Sequence, residues 1–219
     1  MDQRQGKHAQ EDVEYLKHPF TMIVAGPTKV GKTEWTKCLI KCAKQLIRPA
    51  PDRIVWCYTE WQPGYEELAD EVEFSEGLPN FDELKATPGQ RKLVVLDDFM
   101  DTLKKDDRLT RLFTRGSHHW NMSVVHICQA LFFGGLRTAR INSHYLVLMK
   151  SPADRLQIAN LARQMYPGNT RHFLGAYNDA VSSNKYGYLF VDCTFDTEDR
   201  YRLRTNVFPG QFLTVYINE

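Results

Sequence analysis

An eight-residue segment near the start of the chain has the composition and spacing of a phosphate-binding loop. It fits the pattern G-x-x-x-x-G-K-[ST] and consists of Gly26, Pro27, Thr28, Lys29, Val30, Gly31, Lys32 and Thr33. Glycines let the backbone curl so that its N–H groups face phosphate oxygens. Lys32 would bridge the β- and γ-phosphates, and the Thr33 hydroxyl would bind Mg²⁺. The segment therefore predicts a site for a nucleotide such as ATP with Mg²⁺.

The flanking sequence supports this interpretation. Residues 20–25 are a short apolar run typical of a buried strand, and an amphipathic helix is predicted from Lys32 to about Ile47. In that helix Cys38 and Cys42 are expected on the apolar face as core thiols, while Lys37 is expected on the solvent face. The order strand, loop, helix is the context in which the phosphate-loop pattern is specific.

A second apolar segment ends in two adjacent carboxylates. Residues 92–96 predict a strand, and Asp97 and Asp98 follow it directly. Open α/β sheets bind ligands at the carboxyl ends of their strands, so this segment is interpreted as a Walker B strand. Asp97 is expected to hold Mg²⁺, directly or through water, and Asp98 to accept the proton of an attacking water. The alternative is a solvated pair that caps the next helix.

Polar residues after a later strand are candidates to complete the site. Gln129 follows the predicted strand 123–128 and is interpreted as a sensor that bonds the γ-phosphate or the lytic water, the alternative being a simple strand cap. A basic loop is expected at 134–142. Three arginines are candidates for an arginine finger or a DNA contact, although each alone is more often a surface charge, namely Arg137, Arg140 and Arg155.

Alternating strand and helix patterns predict an α/β fold, with a mostly parallel central sheet flanked by helices and with late strands at its edge. Residues 60–76 are expected to be an acidic excursion, and a helix capped by Ser151 is expected to end near Met165, followed by a short helical segment. Further strands are predicted at 53–58, 145–149, 186–193 and 201–208, and a helix at 109–116. Residues 1–18 are expected to be a polar lead and residues 19–219 a single P-loop ATPase domain.

Composition bounds the function classes. The chain has 219 residues and nearly balanced charge, with 28 Lys and Arg against 27 Asp and Glu, so nucleic-acid contacts must come from local basic patches. No apolar run approaches the length of a membrane span, and the charged start lacks a secretory signal. The five cysteines are therefore expected as free thiols inside a cell.

Two weaker patterns are assigned no function. Three histidines and a cysteine lie in or near the predicted strand 123–128, namely His118, His119, His126 and Cys128. They lack the second pair of ligands that a zinc site needs. The segment beginning at Asn184 lacks the aspartate of the guanine-reading Asn-Lys-x-Asp signature. GTP selectivity is therefore unsupported.

These residues together resemble a known family, the A32-like genome-packaging ATPases of the FtsK/HerA superfamily, most closely those of Polinton/Maverick elements and adintoviruses. The similarity runs from about Phe20 to Pro209. Besides the phosphate loop and the two acids, the matching residues are Leu112, Phe113, Thr114, Arg115, Gly116, Ser117, His118, His119, Asn121, Ser123, Val124, Val125, Gln129, Phe132, Arg137, Thr138, Asn142, Tyr145, Leu146, Val147, Leu148, Asp154, Ala176, Tyr177, Tyr186, Gly187, Tyr188, Leu189, Arg202, Leu203, Arg204 and Thr205.

The resemblance implies an ATPase ring, expected to be a hexamer, that pulls double-stranded DNA into a preformed capsid. One subunit's arginine would complete its neighbour's site, and an extra strand would separate the phosphate-loop strand from the Walker B strand. The implied partners are double-stranded DNA, other copies of the chain and viral capsid proteins, with no membrane. The implied location is the host nucleus or cytoplasm at sites of virion assembly, or the virion itself. The alternatives are another P-loop enzyme, such as a viral helicase or nucleoside kinase, and a non-catalytic nucleotide-binding assembly protein.

Overall fold

The computed structural model describes residues 15–99, 108–116, 120–132 and 136–218. His118 and His119, and most of the predicted polar lead, lie outside these ranges. None of the helices within the ranges has the length and apolarity that a membrane span requires.

The strands are β1 (Leu16–Lys17), β2 (Thr21–Ala25), β3 (Ile47–Arg48), β4 (Arg53–Tyr58), β5 (Glu73–Glu76), β6 (Lys92–Asp97), β7 (Met122–Cys128), β8 (Tyr145–Met149), β9 (Tyr188–Asp192), β10 (Leu203–Thr205) and β11 (Thr214–Val215). The α-helices are α1 (Lys32–Lys41), α2 (Ala43–Leu46), α3 (Phe81–Lys85), α4 (Arg108–Arg111), α5 (Leu136–Ile141), α6 (Arg155–Met165) and α7 (Thr170–Ser182). A π-helical turn, Leu112–Gly116, continues α4, and 3₁₀ helices span Pro63–Leu68 and Asp199–Tyr201.

Nine of the described strands form one sheet in the order β11-β10-β9-β8-β2-β7-β6-β4-β5. The neighbouring strands β8, β2, β7, β6, β4 and β5 are parallel. At one side of the sheet, β9, β10 and β11 pair antiparallel. The fold class predicted from the sequence is therefore confirmed. The strand β7 lies between β2 and β6, as the family resemblance implied.

Both faces of the sheet are covered, which explains why β2, β6, β7 and β8 are buried at every position rather than at alternate ones. On β2, Met22 and Val24 pack in one core cluster with Leu39 of α1. Ile23 and Ala25 pack in the opposite cluster, which contains residues of α6 and α7. The sheet thus holds α1 on one face and α6 and α7 on the other.

The helix after the phosphate loop differs from the prediction in length and in its buried face. It ends at Lys41, a break at Cys42 separates it from α2, and Ile47 lies in β3 rather than in a helix. Cys38 is exposed and Cys42 is half-buried, so the prediction that both are core thiols is wrong. The buried face is shifted because Trp35, Leu39 and their neighbours point to the sheet.

Lys37 was predicted on the solvent face, but only 2% of it is exposed. Its Nζ lies 3.1 Å from Glu34 Oε1 and 2.9 Å from Glu67 Oε1. Glu67 belongs to the segment 60–76, which covers this side of α1. The predicted excursion is therefore a structured element that contains a 3₁₀ helix and the edge strand β5.

Other boundaries also differ. Residues 136–141 of the predicted basic loop form the helix α5. Asp154, rather than Ser151, caps α6, because its side chain accepts a hydrogen bond from the Gln157 N–H. The segment expected to be a short helix is α7, with 13 residues, and the late strands include a third, β11.

The division of the chain at residue 18 stays a prediction. Residues at the end of the predicted lead contact the domain: Leu16 is buried, and β1 pairs in parallel with β3. His18 Nδ1 lies 2.6 Å from Ser123 Oγ.

Candidate functional site

The phosphate loop follows β2 directly and leads into α1. Gly26 is buried, and a Cβ there would lie 2.6 Å from Met149 Cβ, so only glycine fits this close approach. Lys29 and Gly31 have φ angles of 67° and 98°, which place both in the left-handed region. The loop therefore turns sharply before α1 begins at Lys32.

Lys32 bends back over the loop, and its Nζ donates a hydrogen bond of 2.8 Å to the Pro27 carbonyl oxygen. Lys32 is half-buried. Burial lowers the pKa of Lys32, while Cys128, Asp97 and Asp98 act in the opposite direction. The ammonium group is thus held at the loop with little solvent and with the two carboxylates nearby.

Asp97 is the last residue of β6 and only 5% of it is exposed. Its Oδ2 accepts a hydrogen bond of 2.8 Å from the Tyr65 hydroxyl. Burial raises the pKa of Asp97 to about 6; the hydrogen bond from Tyr65 opposes this shift, the Asp98 charge adds to it, and the Lys32 charge opposes it. A buried carboxylate of this kind gains from a cationic ligand.

Asp98 has a different environment although it is the next residue. It is exposed, and its φ of 59° lies in the left-handed region that non-glycine residues rarely adopt. Gln129 Nε2 donates to Asp98 Oδ1 at 3.3 Å. This backbone turn directs Asp97 into the protein and leaves Asp98 at the surface of the cavity, so the two acids are equipped for different roles.

Most of the predicted residues meet at one cavity of about 400 Å³, whose lining does not include Gly26, Pro27 or Val30. Those that line it are Thr28, Lys29, Gly31, Lys32, Thr33, Asp97, Asp98 and Gln129, together with Glu34, Gln62, Ile127 and Tyr186. Three strands, β2, β6 and β7, therefore bring the phosphate loop, both acids and the glutamine to one edge of the sheet.

The arginine candidates do not line this cavity within their own chain. Arg137 and Arg155 are exposed on α5 and α6. Arg140 is half-buried, donates to Gln164 Oε1 at 2.9 Å, and lies with its guanidinium carbon 4.4 Å from the centre of the Phe132 ring. Arg140 is thus engaged inside the subunit, whereas Arg137 points to solvent.

The patterns that were assigned no function lie partly within the described residues. Asn184 Oδ1 accepts a hydrogen bond of 2.9 Å from the Tyr186 N–H, so this amide shapes the turn before β9. His126 is fully buried, and burial lowers its pKa to about 4. Among the described residues, no group of three or more His, Cys, Asp or Glu side chains is arranged to hold a metal by itself.

Besides Glu34 and Ile127, which also line the cavity, three residues of the site were not predicted from the sequence. Tyr65 and Gln62 belong to the segment interpreted as an excursion, and Tyr186 packs on the phosphate loop, where a Cβ on Gly31 would lie 2.8 Å from its Cδ1. The run of aromatic residues from Tyr58 to Tyr65 was the available signal for the first two. For Tyr186, nothing local in the sequence indicates the contact with a loop 155 residues earlier.

No protein-family model matches the chain, and no curated protein matches it significantly. Solved structures do. The genome packaging NTPase B204 of Sulfolobus turreted icosahedral virus 2, in complex with sulfate, is 10% identical with a TM-score of 0.56, and the alignment covers 91% of this chain and 96% of that one. The same protein in complex with AMPPCP is 12% identical, with a TM-score of 0.55 and coverages of 91% and 98%.

The chain has the fold of a P-loop NTPase. The resemblance to packaging ATPases is thereby confirmed at the level of the fold, while the placement among Polinton/Maverick and adintovirus proteins stays a prediction. The P-loop NTPase fold also recurs in the cytoplasmic domain of the type VII secretion ATPase EccC of Thermomonospora curvata, at 13% identity and a TM-score of 0.53. That alignment covers 90% of this chain and 25% of EccC.

Replacing Gly31 by alanine tests the loop geometry. The substitution imposes a φ of 98° on a residue with a Cβ and directs that Cβ against Tyr186. We expect Gly31→Ala to lower the free energy of unfolding by about 1–2 kcal/mol in urea titrations. The matched control is Gly175→Ala in α7, where the Cβ enters open space and should add about 0.5–1 kcal/mol. A Gly31→Ala variant as stable as the wild type would refute the left-handed turn.

Proposed function

We propose that this protein is an ATP-hydrolysing motor that packages double-stranded DNA into a preformed capsid. The observation that carries the proposal is the meeting of the phosphate loop, Lys32, both adjacent acids and Gln129 at a single cavity. The solved packaging NTPase with the same fold was obtained in complex with ATPγS and AMPPCP, which supports ATP as the nucleotide.

The phosphates are proposed to bind at the curled loop and at the start of α1. The N–H groups and positive end of this helix favour phosphate oxygens. Lys32 exchanges its bond to the Pro27 carbonyl for oxygens of the β- and γ-phosphates. Because the lysine is half-buried, solvent screens its charge less than that of an exposed lysine.

The donor groups at the loop fit Mg²⁺. The Thr33 hydroxyl and the Asp97 carboxylate are hard oxygen donors, and Mg²⁺ is usually held by one or two carboxylates together with phosphates and water. When bound, Mg²⁺ neutralises charge on the β- and γ-phosphates. Asp97, buried and beside Lys32, supplies a fixed negative charge for it.

Asp98 is proposed as the general base. It lies at the surface of the cavity, where a water can approach, and Gln129 holds one of its oxygens. In hydrolysis the water oxygen bonds to the γ-phosphorus, the bond from that phosphorus to the bridging oxygen breaks, and Asp98 takes the water's proton. Gln129 lines the cavity and donates to Asp98, so it is suited to sense which nucleotide is bound.

The subunits are proposed to act as a ring with DNA in its lumen, and the family resemblance suggests a hexamer. The proposed partners are capsid proteins, and the proposed location is the part of the host cell where virions assemble. Among the described residues, Lys29 and Lys32 are the lysines that line the cavity. Arg137 is exposed for contact with a neighbour. Arg140 is a weaker candidate because Gln164 and Phe132 already engage it.

The two acids can be separated by amide substitution. Asp98→Asn should keep Mg-ATP binding and lose hydrolysis by about 10²–10⁴-fold, because the amide cannot take the proton. Asp97→Asn should instead raise the Mg²⁺ concentration needed for nucleotide binding. Phosphate release and nucleotide titrations at several Mg²⁺ concentrations measure both effects. Equal loss of nucleotide affinity in the two variants would contradict this division of roles.

A mixing experiment tests the trans arginine. An arginine finger supplied across an interface contributes about 10³–10⁵ in rate, so hydrolysis should rise steeply with protein concentration. Asp98→Asn subunits keep their arginines, and Arg137→Ala subunits keep their acids; mixed, they should regain activity at interfaces that join an intact acid to an intact arginine. Absence of recovery in mixtures shown to co-assemble would exclude Arg137, and Arg140→Ala is the matched comparison.

A further inference from the structure

We propose that Tyr65 is a positioning residue for the metal-binding acid Asp97. The inference rests on the proposed function of the cavity and extends it to a segment that the family motifs do not include. Tyr65 is 1% exposed and lies in the 3₁₀ helix Pro63–Leu68. Its hydroxyl donates a hydrogen bond of 2.8 Å to Asp97 Oδ2.

This hydrogen bond fixes the orientation of the carboxylate. An Asp side chain ends in a broad, weakly restricted torsion, so burial alone does not decide which oxygen faces a cation. With Oδ2 bonded to Tyr65, Oδ1 would be the oxygen left for a cation that Asp97 holds together with Thr33. Outer partners of metal ligands commonly act in this way, and their loss typically lowers metal affinity by about 10–100-fold.

The tyrosine ring is itself rigidly held. It stacks on Phe74 of β5 with ring centres 5.4 Å apart and an interplanar angle of 18°. It also packs on Trp56 of β4 and edge-to-face on Trp61, at 5.1 Å and 5.4 Å. Contacts from two strands therefore determine where the hydroxyl lies.

The 3₁₀ helix is also tied to the phosphate-loop helix. The buried Lys37 of α1 pairs with Glu67, 2.9 Å away, and with Glu34. A Cβ on Gly64 would lie 3.4 Å from Lys37 Nζ, so the helix packs closely at this point. The 3₁₀ helix that carries Tyr65 is thus connected to both proposed metal ligands. Tyr65 bonds Asp97 directly, and Glu67 pairs with the helix that begins with Lys32 and Thr33.

The test removes only the hydroxyl. Tyr65→Phe keeps the ring and its packing, and Tyr58→Phe is the matched control because Tyr58 belongs to the same aromatic cluster, with its ring 5.8 Å from that of Tyr65. Mn²⁺ binding to the ADP-loaded protein is measured by electron paramagnetic resonance. ADP binding in the presence of a chelator is measured by calorimetry, and thermal unfolding is recorded for each variant.

We expect Tyr65→Phe to weaken Mn²⁺ binding about tenfold or more, with metal-free ADP affinity unchanged and Tyr58→Phe like the wild type. In hydrolysis assays the Mg²⁺ concentration for half-maximal rate should rise by a similar factor, with kcat at saturating Mg²⁺ close to that of the wild type.

Wild-type Mn²⁺ affinity in Tyr65→Phe would overturn the proposal. An equal fall in metal-free ADP affinity would also overturn it, because it would assign the tyrosine a purely structural role. A wild-type protein that binds no Mn²⁺ with ADP would refute the proposed metal site itself, and this result is visible before any substitution is made.

Discussion

The parallel register of β2, β7 and β6 is the constraint on which the site depends. Ala25 pairs with Cys128 and Asp97 pairs with Ile127, so the three strands end at the same level of the sheet. The residues that follow each end, the phosphate loop, Asp98 and Gln129, must therefore meet. A slip of β6 by one residue against β7 would invert the faces of β6 and move Asp97 to the opposite side of the sheet.

The backbone conformation at the end of β6 explains the unequal environments of the two acids. A strand that continued regularly through Asp98 would place the two side chains on opposite faces. The left-handed backbone at Asp98 ends the strand abruptly and leaves its carboxylate at the cavity beside Gln129. Asp97, one residue earlier, stays buried under the aromatic residues of the segment before β5. Burial then disfavours its charge, and Lys32 and a bound cation are the groups that can offset this cost.

The sequence predicted most reliably those features that depend on a single strand, loop or helix. Mostly apolar runs predicted β2, β6, β7 and β8, because both faces of those strands are covered. The phosphate loop could be predicted because its glycines meet local backbone requirements. Contacts between segments distant in the chain could not be predicted from the sequence. A lysine on a helix is usually predicted to face solvent, and the burial of Lys37 depends on Glu67, 30 residues later, as well as on Glu34. Tyr65 was hidden for the same reason, since its function depends on Asp97, which lies 32 residues further along the chain.

The central claim is that the cavity hydrolyses ATP in a reaction coupled to DNA. It is tested most directly by phosphate release from Mg-ATP with and without duplex DNA, at protein concentrations that allow assembly, with Lys32→Ala as the reference. The account predicts Mg²⁺-dependent release by the wild type that increases with duplex DNA, and none above background by a folded Lys32→Ala variant. Release by that variant at the wild-type rate, or a wild-type rate indifferent to duplex DNA in assembled protein, would contradict it.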